Sequence, residues 1–169
     1  MNTGVFGFPP LENNSAFPFI PLRGVSATRT TAGSSLYPSG VDTAVPWQAT
    51  FYDTDGFWFA SDPSRLTIPS AIDGRYVIVS TALRLNANFN VARDFFYIGL
   101  YRPDGTQQRG FLGNMGGFQT NVTIPLNTSP IRVFAGQYFQ TRVFQDTGSA
   151  MQHDTTPASN NYLSLQVVG

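Results

Sequence analysis

Apolar and polar residues alternate along the stretch Arg75–Val91. Val77, Val79, Leu83, Leu85, Ala87, Phe89 and Val91 take the odd positions, and Ser80, Arg84, Asn86, Asn88 and Asn90 the even ones. A period of two marks a β-strand with one buried face. A helix would need apolar residues at three-and-four spacing, and the asparagines are weak helix formers. The stretch is longer than ordinary strands, so its Asn-rich end is expected to bend or turn.

From Gly24 onward the chain reads as β throughout. Gly24–Thr31 and Trp47–Tyr52 are predicted strands. Asp94–Arg102 is aromatic and branched; Pro103-Asp104-Gly105 supplies turn chemistry and Thr106–Leu112 returns, which makes a hairpin. Phe118–Leu126 is a further strand, extended by Ile131–Phe134 past Pro130. Tyr138–Gln145 is bounded by Gly136 and by Thr147-Gly148. Tyr162–Val168 closes the chain, with Leu163, Leu165 and Val167 on one face and Ser164 and Gln166 on the other. Eight or so short strands with turn-bounded spacing predict an all-β sandwich, jelly roll or barrel. Two sheets would pack about 10 Å apart over a core of aromatic and branched residues.

Residues 1–23 follow other rules. Phe6, Phe8, Phe17 and Phe19 are interleaved with Pro9, Pro10, Pro18 and Pro21. Proline at this density excludes helix and interior sheet pairing and favours extended chain. Four phenylalanines are wasted in water, so the segment is expected to be an arm docked on its own domain or on a neighbour. The predicted organisation is a 1–23 arm followed by one β domain, 24–169.

Composition narrows the function. Only 12% of the 169 residues are charged, against about 25% in ordinary soluble domains. All ten basic residues are arginine, and 17 Thr, 13 Ser, 11 Asn and 9 Gln must carry much of the solubility. Ten basic residues balance ten acidic ones, which removes the electrostatic case for binding nucleic acid or an anionic membrane. With no cysteine and one histidine, thiolate catalysis, cysteine-containing metal sites and any site needing two imidazoles are excluded. Met1–Gly4 shows no basic region followed by an apolar stretch, so no secretory signal is expected, and no apolar run approaches the roughly 20 residues of a membrane span.

Candidate chemistry is sparse. Asp53-Thr54-Asp55-Gly56 has the start of a calcium loop, but Ser64 stands where an EF-hand needs Glu, so the expectation is a turn whose Asp bonds nearby amides. Asp62-Pro63-Ser64-Arg65 also reads as a turn, with Arg65 paired to Asp62. His153 lies in the polar loop Gln152–Asn161 beside Asp154, and sequence neighbours seldom supply triad geometry. Neither catalytic, cofactor-binding nor metal-ligating residues are expected. Asn121-Val122-Thr123 and Asn127-Thr128-Ser129 match the glycosylation pattern, but with no secretory signal expected, chance matches are the better reading. Phe57-Trp58-Phe59 is the sharpest aromatic cluster: a sugar-stacking or receptor-contact loop is one reading, and core or interface burial is the favoured one, since burying aromatics gives the larger stabilisation.

Two blocks carry a family resemblance. The run Asp62–Pro69 followed by Asp73-Gly-Arg-Tyr-Val-Ile78 resembles a turn, strand and central "G-x-Y" strand of the trimeric jelly rolls related to the complement globular head and tumour necrosis factor. Phe134–Gly148 is similar to their later strand and its following loop, and Tyr162–Val168 falls where those domains end. The resemblance implies a two-sheet antiparallel jelly-roll sandwich. It also implies a homotrimer in which the final strand and the Gly74-Arg75-Tyr76 strand face the three-fold axis, with Tyr76, Ile78, Tyr162 and Gln166 as subunit contacts.

The neutral, lysine-free composition looks most like jelly rolls on bacteriophage particles. The leading expectation is a non-enzymatic decoration (cement) protein on the capsid exterior. Its partners would be the major capsid protein and neighbouring decoration trimers, with Phe6, Phe8, Phe17 and Phe19 anchoring the arm. The alternative is a receptor- or glycan-binding fibre tip, with Phe57, Trp58 and Tyr101 lining its groove. A small jelly-roll coat protein ranks lower, because residues 1–22 hold no basic residue to face nucleic acid.

Overall fold

The alternation along residues 75–86 becomes the longest of the described strands, and two sheets are built around it. The computed structural model describes residues 22–30, 37–86, 95–114, 123–153 and 161–168. Thirteen strands lie among them: β1 (Gly24–Thr28), β2 (Thr43–Ala44), β3 (Ala49–Asp53), β4 (Trp58–Phe59), β5 (Asp62–Thr67), β6 (Tyr76–Asn86), β7 (Phe95–Tyr101), β8 (Gln107–Asn114), β9 (Thr123–Asn127), β10 (Ile131–Arg132), β11 (Tyr138–Phe144), β12 (Gln152–His153) and β13 (Tyr162–Val167). A single 3-10 turn, Ser70–Ile72, leads into β6.

One sheet runs β10-β6-β13-β1-β3, with β9 and β12 also paired to β6; the other runs β4-β5-β11-β7-β8, with β2 on β11. All pairings are antiparallel. The chain crosses between sheets after β1, β2, β3, β5, β6, β8, β10 and β11. That path is the antiparallel jelly-roll sandwich expected from the sequence. The odd residues of β6, Val77, Val79, Leu83 and Leu85, face Phe96, Ile98 and Leu100 of β7 and Phe139 and Val143 of β11 in one core. Trp47, Tyr37 and Phe57 fill its ends from loops and are fully buried.

The 103–105 turn joins β7 and β8 as predicted. β10 continues along the edge of β6 already used by β9, with Ile131 opposite Val77. Two expectations need correction. Asp62–Arg65 forms the ion pair, at 2.9 Å, but as the start of strand β5 rather than a turn. Pro63 is tolerated there because neither the pairing of β5 with β11, at Leu66 and Thr67, nor that with β4, at Asp62 and Leu66, includes it. His153 is not in a polar loop; it is a buried residue of β12, paired opposite Leu85. The four arm phenylalanines, the 87–91 end of the alternating stretch, residues 118–122 and Asp154 fall outside the described residues.

Candidate assembly surface

The even residues of β6 point away from the core. Ile78 lies directly opposite Gln166 of β13, Ser80 opposite Ser164 and Ala82 opposite Tyr162. β1 continues the face, with Ser26 opposite Ser164 and Thr28 opposite Tyr162, and Tyr52 of β3 stands opposite Ser26. Tyr76, 49% exposed, sits at the start of β6. Thus Tyr76, Ile78, Tyr162 and Gln166 do share one sheet face. Its centre holds the aliphatic Ile78 among small, amide, hydroxyl and aromatic side chains, and the charges Arg23, Arg84 (the next even residue of β6) and Arg132 (opposite Tyr76) lie at its margins. Covering such a face costs no desolvation of charge.

Polar contacts fix the chain where it enters this sheet, at the start of β1 and the end of β3. Arg23 donates to Asp55 through Nε at 3.2 Å and also through its terminal nitrogen. That contact holds the Asp55 carboxyl below the usual range and raises the guanidinium. Asp53 accepts from the amides of Gly56, Phe57 and Trp58 at 2.9–3.0 Å, the amide-bonded turn read from the sequence. Leu22, just ahead, is 53% exposed.

The aromatic groove expected of Phe57, Trp58 and Tyr101 is not formed. Phe57 is a core residue and Tyr101 is 6% exposed, its ring stacked on Tyr138 at 5.1 Å. Trp58 packs against the core and gives its indole N–H to Pro63 O at 3.1 Å. Burying these rings is worth more than presenting them to water. Among the described residues the exposed aromatics are instead Phe51, Phe59, Tyr76 and Phe134.

A buried polar cluster went unread in the sequence. Asn161 Oδ1 accepts from the Arg84 amide at 2.8 Å and lies 3.1 Å from His153 Nδ1. Nδ1 therefore carries the proton, and Nε2 accepts from the Tyr37 hydroxyl. Burial, reinforced by the charge of Arg29, pushes His153 down to about 4; burial likewise raises Tyr37. Both imidazole nitrogens are thereby committed to structure. Tyr37 is more than a hundred residues from His153, so no spacing could announce the pair. The sequence also gave no sign of an open cleft of about 540 Å³ between the β7–β8 turn and β10, lined by Arg102, Arg109 and Arg132. Among the described residues, no group of three or more His, Cys, Asp or Glu could hold a metal ion.

This arrangement of sheets is that of tumour-necrosis-factor-like jelly rolls. No protein-family model and no curated protein matches the sequence, whereas solved structures match the fold. The chain is similar to murine APRIL in crystal structures at pH 8.0 (TM-score 0.54, 7% identity) and pH 5.0 (TM-score 0.55, 8% identity), covering 87% of this chain and 99% of that one in each. It is also similar to Eiger TNF from S. frugiperda, with TM-score 0.50, 8% identity, and 88% of this chain and 94% of that one covered. At such identities the likeness is one of fold.

Proposed function

We propose that the chain is a non-enzymatic virion structural protein: a homotrimeric decoration protein that binds and stabilises the outside of a bacteriophage capsid. The observation that carries this reading is the outer face of β6, β13 and β1, whose central positions carry no charge between Arg84 and Arg132, and which presents the contact residues implied by the family resemblance. Three copies would close on that face, with Tyr76, Ile78, Tyr162 and Gln166 at the contact. The Phe/Pro-rich segment 1–23 would clamp each trimer to the major capsid protein or a neighbouring trimer, and three clamps per trimer let each be weak. Low charge suits a protein much of whose surface is covered. Shells lacking the protein, mixed with the full chain and with a chain lacking residues 1–23, test it: the full chain should decorate the shells and the truncated trimer should not.

A receptor- or glycan-binding tip of a tail or head fibre is the second reading. The arginine-lined cleft favours it, whereas Phe57 and Tyr101 cannot serve it.

A further inference from the structure

Three of the ten arginines converge on one cleft. Arg102 follows β7, Arg109 lies on β8 and Arg132 on β10, and all three are exposed. Among the described residues none of them is ion-paired. Two carboxylates lie close by but outside the lining: Asp104, which accepts from the Thr106 amide at 2.8 Å and interacts electrostatically with Arg102, and Asp73, which accepts from the Ala135 amide at 2.9 Å. In a chain of zero net charge, this is a local excess of positive charge with no countercharge lining it.

The rest of the cleft is not simply basic. Leu100 and Ile131 supply an apolar floor, and the Phe134 ring, 48% exposed, forms one side. Arg132 is held in place, donating through Nε to Gly74 O at 3.2 Å with its guanidinium 5.4 Å over the Phe134 ring. Gln137 is clamped between the Phe134 amide, at 2.7 Å, and Gln108, at 2.5 Å. The site is therefore partly organised before anything binds. Its volume falls in the range of small-ligand sites, about 300–1,000 Å³.

We propose that this cleft binds a carboxylated sugar. Arginine forks match a carboxylate in two parallel bonds. The side-chain amides of Gln107 and Gln108 can both donate to and accept from sugar hydroxyls, and the half-exposed Phe134 ring offers a platform for the apolar face of a pyranose. A bare inorganic anion would leave the amides, ring and apolar floor unused. The inference does not rest on the capsid reading, since a shell-bound trimer and a fibre tip can each present this cleft.

The test titrates the full chain with 3′-sialyllactose and with a glucuronic-acid disaccharide, following amide chemical shifts. Lactose is the neutral arm; inorganic phosphate and hexaglutamate are the anionic arms without a sugar. At least one acidic sugar should bind saturably, about tenfold or more tighter than lactose, with shifts at residues 102–109 and 131–134. Arg102→Gln and Arg109→Gln should each weaken it about tenfold, without moving the thermal midpoint, and added salt should weaken it further. Silence from both acidic sugars, equal binding of lactose, affinity unchanged in both variants, or binding of hexaglutamate or phosphate alone would overturn the proposal. Oligomer mass and shell binding are read separately, so such a failure would leave the capsid reading standing.

Discussion

The hydroxyls of Thr81 and Thr141 meet at 3.0 Å in the middle of the sandwich, joining β6 of one sheet to β11 of the other. Both residues are fully buried. Thr81 Oγ1 donates to Tyr162 O at 2.8 Å, so the bridging proton comes from Thr141. Two polar groups in an apolar layer are thus satisfied in series.

Thr81→Val should destabilise the fold by about 1–3 kcal/mol, because it strands the buried Thr141 hydroxyl. Adding Thr141→Val should recover part of that loss. Urea unfolding of the single and double variants at one protein concentration checks this; additive losses would show that the two hydroxyls do not depend on each other.

Stability should fall between pH 6.5 and pH 4. His153 goes from an ordinary value of 6.5 down to about 4 on folding, so in this window the unfolded chain binds the extra proton. The contribution is complete above pH 6.5 and lost as pH drops through the window, roughly 3 kcal/mol in all. In His153→Gln the curve over that window should flatten; an unchanged slope would assign it to the carboxylates.

Gly99→Ala should cost about 1–3 kcal/mol by overpacking. A β-carbon at Gly99 would stand 2.5 Å from the Tyr101 ring, which is itself stacked on Tyr138. Thermal unfolding reads the loss, and a shifted near-ultraviolet tyrosine signal would show that the stack moved.

Ile78→Arg should dissociate the proposed trimer and leave a folded subunit, because Ile78 points away from the core and lies beside Gln166. Circular dichroism should be unchanged while sedimentation slows to that of a single chain. An intact oligomer would move the contact to another face.

The architecture was legible because burial on one face writes itself as a period of two. Val77 to Leu85 and Leu163 to Val167 show it directly, and the turn at 103–105 fixes the β7–β8 register. Less legible was anything that depends on loops meeting. β4 and β2 are two-residue strands whose pairing comes from their neighbours, and Pro63 disguised β5. The shared face of Tyr76, Ile78, Tyr162 and Gln166 followed from strand adjacency, which the family resemblance supplied. By contrast, the burial of Phe57 and Tyr101 was set by packing across the sandwich. The Tyr37–His153–Asn161 cluster and the three-arginine cleft join residues from distant strands and loops, and no local pattern encodes them.

The central claim is that the uncharged sheet face closes a trimer. Light scattering on the full chain at neutral pH measures this most directly. The account predicts a mass three times the 18.5 kDa of one chain, independent of dilution over the micromolar range. A stable single-chain mass at the same concentrations would contradict it.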